Sequence, residues 1–421
     1  MRAISFDFQV QTKNMKTPKF LTLFILVTLL LSCDRISTEK PTEIELDQKS
    51  AMVVENNNSF GFRFFENVIS SEKTNKNIMV SPLSVSQALS MAINGAGGNT
   101  FTQMQQLLGF GDLLLTDLNK SNQTITSSLA SHDPKVKFQM ANSIWYRNDF
   151  SIKAPFLSNN QKYYDAEVSS YDPSKPDKAK DNINNWVDDK TNGKIKQIID
   201  QVNTDDVMFL INAVYFNAKW KTEFKKKNTE PESFTLDDGT QKEVETMIGE
   251  VELSYYNKES CSVIKLPYGS GKFDMIVYLP EEGYTTSDIV SEIANTDFDK
   301  LSSMTLTKRD LYFPKFEFSY DNELNDELIS MGMTDAFSTG LANFSEISDI
   351  PLYISKVMHK TFIKTDEEGT EAAAATSITF GYTSAGPSGI IKIDRSFLFA
   401  IAEEDTHSIL FIGRVYDPSK N

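Results

Sequence analysis

The sequence predicts one large mixed α+β domain. Three observations carry that expectation. Apolar residues recur at helical spacing in some stretches and alternate at period two in others, so both element types are present. Most segments between about 232 and 320 read as strands, with helices elsewhere in the chain. No repeat and no Gly/Ser/Pro-rich linker divides the chain after residue 56. The composition, 40% hydrophobic and 24% charged over 421 residues, supplies enough apolar surface for a sizeable core.

The N-terminus reads as an address. Residues 15–33 are MKTPKFLTLFILVTLLLSC: Lys16 and Lys19 precede an apolar run broken only by Thr22 and Thr28. The run is shorter than the roughly 20 apolar residues a membrane span needs, and it suits a signal-peptide core. It ends in Leu30-Leu31-Ser32-Cys33, which resembles the bacterial lipoprotein signal, whose cysteine is lipidated and becomes the new N-terminus. An ordinary signal peptide with an incidental cysteine is the alternative. Residues 1–14 are unusual ahead of such a signal, so Met15 is a candidate start. The expected division is 1–32 signal peptide, 33–55 lipidated cysteine and polar tether, and 56–421 globular domain.

The body then runs element by element. Phe60, Phe64, Phe65, Val68 and Ile69 give 56–74 a helical stripe. A short strand at 77–80 stops at Ser81-Pro82. Residues 84–96 are apolar nearly all round, as in a buried helix. Residues 100–108 form a helix closed by Gly109. A strand follows at 138–146, a helix at 179–191 stopped by Asn192-Gly193, and a strongly apolar strand at 207–216 before Trp220. Strands are expected at 232–236, 251–256, 262–266, 273–279 and 311–318, helices near 285–294 and 322–331, and two strands within 390–415.

Charge and motif content exclude several function classes. A formal net charge of −16 opposes sequence-independent nucleic-acid binding. With Cys33 used for an anchor, Cys261 has no partner for a disulfide, and a structural zinc site is not expected. His132, His359 and His407 lie far apart, none in a metal-ligand spacing. The chain has no P-loop, no dinucleotide fingerprint and no nucleophile elbow. His359, in SKVMHKTF, reads as a hydrogen-bonded core histidine. Glu367-Glu368 and Glu403-Glu404-Asp405 read as solvated faces or turns. The expectation is a protein that is not an enzyme and uses no cofactor.

Four motifs in order carry a specific resemblance: NIMVSPLS (77–84), NAVYFNAKW (212–220), EEGTEAAAA (367–375) and IKIDRSFLF (391–399), with His359 ahead of Glu367. This succession resembles the serpins, the serine-protease-inhibitor family, over about 56–418. The leader suggests a bacterial member. The resemblance implies one domain with three β-sheets, eight or nine helices and an exposed reactive-centre loop. It further implies suicide inhibition: a protease cleaves the loop, and the cleaved loop inserts into the central sheet and traps the acyl-enzyme. Ser81, Ser84, Asn212 and His359 match the shutter beneath that sheet. Trp220, Lys315 and Glu367 match the breach at its top. Gly369, Thr370, Glu371, Ala372, Ala373, Ala374 and Ala375 match the hinge. The family's usual spacing from Glu367 puts the scissile bond at Thr383-Ser384, with Tyr382-Thr383 as the alternative register.

The hinge has to satisfy a strand's period. Counted by twos from Thr370, the set Thr370, Ala372, Ala374, Thr376, Ile378, Phe380 and Tyr382 carries no charge. Small leading side chains enter a closed sheet without overpacking it, and Gly369 gives the backbone freedom to turn inward. Inserting about 15 residues at roughly 1 kcal/mol per hydrogen bond is on the order of 15 kcal/mol, comparable to a domain's stability. No Arg or Lys stands between Gly369 and Ile391. The expected partners are therefore elastase-like, chymotrypsin-like or subtilisin-like endopeptidases, with papain-like cysteine proteases as a further class. The membrane is the other partner, through the lipid on Cys33, at the periplasmic or cell-surface face of a bacterial envelope. The protein is expected to be a monomer. A non-inhibitory serpin acting as a binding or chaperone-like lipoprotein is the competing reading.

Overall fold

Asp47 opens the first helix: its carboxylate accepts the Ser50 N–H at 2.8 Å. The computed structural model describes residues 40–72, 74–370 and 389–420. Nine α-helices lie among them: α1 (Gln48–Ser71), α2 (Pro82–Ile93), α3 (Gly98–Leu108), α4 (Leu115–Ser131), α5 (Ala154–Tyr164), α6 (Pro176–Lys190), α7 (Val290–Ala294), α8 (Phe298–Ser303) and α9 (Asn325–Ser330). The early strands are β1 (Ile78–Val80), β2 (Val136–Arg147), β3 (Glu167–Tyr171), β4 (Met208–Lys219) and β5 (Thr229–Thr235). Then come β6 (Gln241–Asn257), β7 (Cys261–Tyr268), β8 (Phe273–Pro280), β9 (Thr307–Pro314) and β10 (Phe316–Glu323). The last are β11 (Met358–Thr365), β12 (Gly369–Thr370), β13 (Ile390–Lys392), β14 (Phe397–Glu403) and β15 (Ile409–Val415).

The globular unit starts earlier than the expected 56. Val53 and Val54 are buried in α1, and ahead of it the Thr42 N–H donates to the His132 carbonyl. The second half of the expected tether is thus part of the body. Two valines among polar residues were too sparse to show a period. The expected Cys33 and the signal peptide lie outside the described residues.

Helix α4 has no counterpart in the sequence reading. Its buried face mixes Leu118, Ile125 and Leu129 with Asn119, Ser121 and Asn122, which blurs the apolar stripe. Those amides are satisfied from other helices: Gln87 donates to Asn122 at 3.0 Å, Asn119 to Asn94 at 2.7 Å, and Tyr164 to Asn119 at 2.7 Å.

A six-stranded sheet runs β10-β11-β12-β4-β2-β3. A nine-stranded network runs β1-β15-β14-β8-β7-β6-β9-β13, with β5 also paired to β6. The resemblance implied three sheets. Hydrogen bonding merges two of them, because β6 passes unbroken from the partners β5 and β9 to the partner β7. The strand expected at 311–318 is two strands in different sheets. Pro314 ends β9, and the Lys315 N–H donates to the Glu245 carbonyl at 2.8 Å before β10 begins. Aromatic rings fill the space between the sheets: Phe216 of β4 meets Tyr268, Phe273 and Phe411 edge-on, and Phe316 of β10 meets Phe397. Helix α2 contacts both β4 and β15.

Candidate functional site

The site is a seam in the six-stranded sheet. Among the described residues no ladder joins β4 directly to β11; the two-residue β12 lies between them and pairs with both. Thr370 stands opposite Thr365 on one side and Ala218 on the other. The chain reaches this position through a tight turn in which the Asp366 N–H donates to the Gly369 carbonyl at 2.9 Å.

Gly369 makes the turn possible. Its φ is +153°, and a Cβ there would sit 2.1 Å from the Ala218 carbonyl oxygen and 2.6 Å from the Lys219 Cα. Both obstacles are backbone, so only glycine fits. The Thr370 hydroxyl is buried and lies 2.6 Å from the Tyr268 hydroxyl.

The top of the seam is clamped from three directions. Trp220 stacks on Tyr268 with ring centroids 4.5 Å apart, and its indole N–H donates to the Asp366 carbonyl at 2.9 Å. The backbone N–H groups of Trp220 and Phe224 donate to the carbonyls of Glu368 and Glu367 at 2.8 and 2.9 Å. The Glu367 carboxylate accepts from Thr229 at 2.6 Å and from Lys315 at 3.0 Å. Burial alone would raise its pKa, but those two donors hold it below the ordinary value. Glu368 is also held low, chiefly by the Lys226 ammonium at 2.8 Å. Glu367-Glu368, expected in a solvated face or a turn, do lie in the turn between Asp366 and Gly369, but they are not solvated: the two residues are 4% and 7% exposed. The Lys315 partner is the one the resemblance implied; Thr229 and Lys226 lie on distant segments that local sequence does not reveal.

Lower in the seam, the N-terminus of α2 reaches both strands. The Ser81 N–H donates to His359 Nε2 at 3.0 Å, on the β11 side. The Ser81 hydroxyl donates to the Leu410 carbonyl at 2.7 Å and caps the Ser84 N–H. The Ser84 hydroxyl bonds Asn212 on the β4 side, and Asn212 donates to Asn142 of β2 at 2.7 Å. His359 is the hydrogen-bonded core histidine that was expected, and burial pushes its pKa down to about 4. The structure brings Ser81 to His359 and Ser84 to Asn212, so the cluster is two half-networks on one helix end. Among the described residues no hydrogen bond joins Asn212 to His359.

Trp220, Lys315 and Glu367 therefore meet at one end of the seam, and Ser81, Ser84, Asn212 and His359 meet further down. Glu371, Ala372, Ala373, Ala374, Ala375, Tyr382, Thr383 and Ser384 lie outside the described residues, as does Cys33. Sequence reasoning missed Tyr268, Thr229, Lys226 and Asn142. Nothing in their local context marks them, since each acts only through a contact made by the fold.

A buried mixed-sheet body, a glycine turn and a short strand lodged in a seam define a fold class. Comparison with known proteins identifies it. The profile described as Serpin (serine protease inhibitor) matches residues 55–418. A serpin-like protein of Methanosarcina acetivorans is 33% identical, over 95% of this chain and 96% of its own length. The leukocyte elastase inhibitor of Equus caballus is 31% identical, over 86% of this chain and 98% of its own. The native-state crystal structure of the thermophilic serpin tengpin superposes with a TM-score of 0.79 at 36% identity, covering 91% of this chain and 98% of its own. The chain belongs to the serpin family and has the serpin fold.

Proposed function

We propose that this chain is an irreversible suicide inhibitor of serine endopeptidases. A protease attacks the loop after residue 370, and the N-terminal part of the cleaved loop then enters the seam between β4 and β11 as a full strand. The acyl-enzyme is carried along and distorted before it can hydrolyse. Inhibition is a race between insertion and deacylation. The chain supplies a substrate bond and a mechanical trap; it is not an enzyme.

The observation that carries this reading is the register of β12. Six residues on from Ala218 along β4 is Asn212, and six residues on from Thr365 along β11 is His359. Both ladders, continued from Thr370, therefore place the same residue, Thr376, opposite the two halves of the polar cluster. A strand so inserted would present a hydroxyl to both. The members of the even-numbered set from Thr370 to Tyr382 are uncharged, as a buried strand face requires.

Specificity follows from the loop's chemistry. With no Arg or Lys between Gly369 and Ile391, an acidic trypsin-type pocket has nothing to pair with. The scissile bond is Thr383-Ser384, or Tyr382-Thr383 in the neighbouring register. The targets are elastase-like, chymotrypsin-like or subtilisin-like enzymes, and papain-like enzymes form a further class. We propose further that Cys33 anchors the protein, as a monomer, to a bacterial cell envelope through its lipid.

The deciding experiment mixes the protein with elastase, chymotrypsin and trypsin and runs a denaturing gel. A covalent complex with elastase or chymotrypsin is expected. Quantitative loop cleavage with full protease activity remaining would point to the non-inhibitory, binding or chaperone-like alternative. A main inhibitory cut after Arg or Lys would overturn the specificity.

A further inference from the structure

Away from the seam, three residues from distant parts of the chain converge: His132, the C-cap of α4; Glu403, the last residue of β14; and Asp405, in the turn that follows. His132 Nε2 lies 2.8 Å from a Glu403 oxygen and 3.6 Å from an Asp405 oxygen. We propose that these three side chains bind one divalent transition-metal ion, of which zinc is the best match.

His132 points to a ligand. Its side chain is fully buried; Nε2 meets carboxylate oxygens at 2.8 and 3.6 Å without forming a hydrogen bond, and Nδ1 has no hydrogen-bond partner. A buried imidazole with neither of its nitrogens hydrogen-bonded is costly. A cation at Nε2 would use one of them.

The carboxylates are already oriented. One Glu403 oxygen accepts the Asp405 N–H at 2.6 Å and the other accepts the Thr406 N–H at 2.8 Å. Asp405 accepts from Lys272 at 2.6 Å and from the Ile44 N–H at 2.9 Å. Such partners fix ligand direction in metal sites. Glu403, expected in a solvated face or a turn, is buried at the strand end, and its carboxylate holds the turn that follows. Two carboxylates here face one ammonium, Lys272, which leaves negative charge for a cation to balance.

Distances and access agree. Ligands about 2.0–2.1 Å from a tetrahedral zinc stand about 3.3 Å apart, and the two observed separations bracket that value. One imidazole with two carboxylates favours zinc or its transition-metal neighbours over magnesium or calcium, which prefer all-oxygen sites. A cavity of about 690 Å³ bounded by Ile44, Leu46, Asn58, Phe298 and Asp405 opens on the Asp405 side. It offers an entry path and room for a water as fourth ligand. The ion would tie the end of α4 to the β14 turn. Through Asp405 and Ile44 it would also steady the segment ahead of α1.

The test uses the full chain, stripped with a chelator. Cobalt(II) is titrated as a spectroscopic probe, and zinc is followed by calorimetry. One equivalent of cobalt should give the intense visible bands of a four-coordinate site, displaced by zinc. Asp405→Asn, at the cavity edge, should weaken zinc binding at least tenfold, and His132→Gln should abolish the bands. Should His132→Gln fail to fold by circular dichroism, Asp405→Asn decides. Absence of saturable cobalt bands, or unchanged affinity in Asp405→Asn, overturns the proposal and leaves His132 as an ion-pair partner.

Discussion

Replacing Gly369 by alanine tests the hinge most directly. The new Cβ would lie 2.1 Å from the Ala218 carbonyl oxygen, so β12 has to move off β4. Three hydrogen bonds depend on that approach: Trp220 N–H to Glu368, Phe224 N–H to Glu367, and the Trp220 indole to Asp366. At about 1 kcal/mol each they sum to roughly 3 kcal/mol. Forcing alanine into this glycine-only backbone region adds about 1–3 kcal/mol. If about 2 kcal/mol of the total reaches the insertion transition state, insertion slows roughly thirtyfold. Deacylation belongs to the protease and is unchanged, so the partition swings from trapping to release. The assay is the molar ratio of inhibitor needed to silence a titrated elastase or chymotrypsin. Gly369→Ala should raise that ratio severalfold or more while leaving the loop cleavable. Hydrogen exchange at the Trp220 amide should quicken in parallel, without any protease present. One-to-one trapping together with an unchanged Trp220 amide would refute the argument, because the docked turn would then have no part in insertion.

Three further outcomes are expected, two from the geometry and one from the leader sequence. Thr370→Arg would put a charge beside Tyr268, at a cost of several kcal/mol; it should convert inhibitor to substrate, and Thr370→Val should lose only about 1 kcal/mol, both read from the same titration. His359 is neutral when folded, with a pKa near 4 against an ordinary value near 6.5. The unfolded chain therefore takes up the proton first, and up to about 3 kcal/mol of stability, present above pH 6.5, is lost as pH falls toward 4. His359→Gln should flatten that part of the urea-midpoint profile, and an unchanged slope would count against the assignment. Finally, Cys33→Ser should shift the protein from the detergent phase to the aqueous phase in a Triton X-114 partition, whereas equal partitioning would remove the lipid anchor.

Much of the fold was legible because strong local signals coincide with tertiary need. Helix α2 shows this: its nearly all-round apolar run marked a buried helix from residue 84, although the Ser81 cap and Pro82, read as the stop of a strand, in fact begin it at 82. Gly109 closing α3 with φ +74° is another case. Where burial is polar, the signal fails. Helix α4 hides behind buried asparagines, and the break between β9 and β10 hides because Phe313 and Phe316 keep the run apolar on both sides.

The candidate site divides in the same way. By itself the sequence determined the family landmarks, the uncharged period-two face that starts at Thr370 and the need for glycine at 369. These depend on residue type and spacing along one segment. Only the tertiary structure decided that Glu367 and Glu368 are buried, that the polar cluster is split between two strands, and that His132 meets Glu403 and Asp405. Each is a meeting of segments far apart in the chain, and no local pattern encodes which partner a side chain will find once the sheets close.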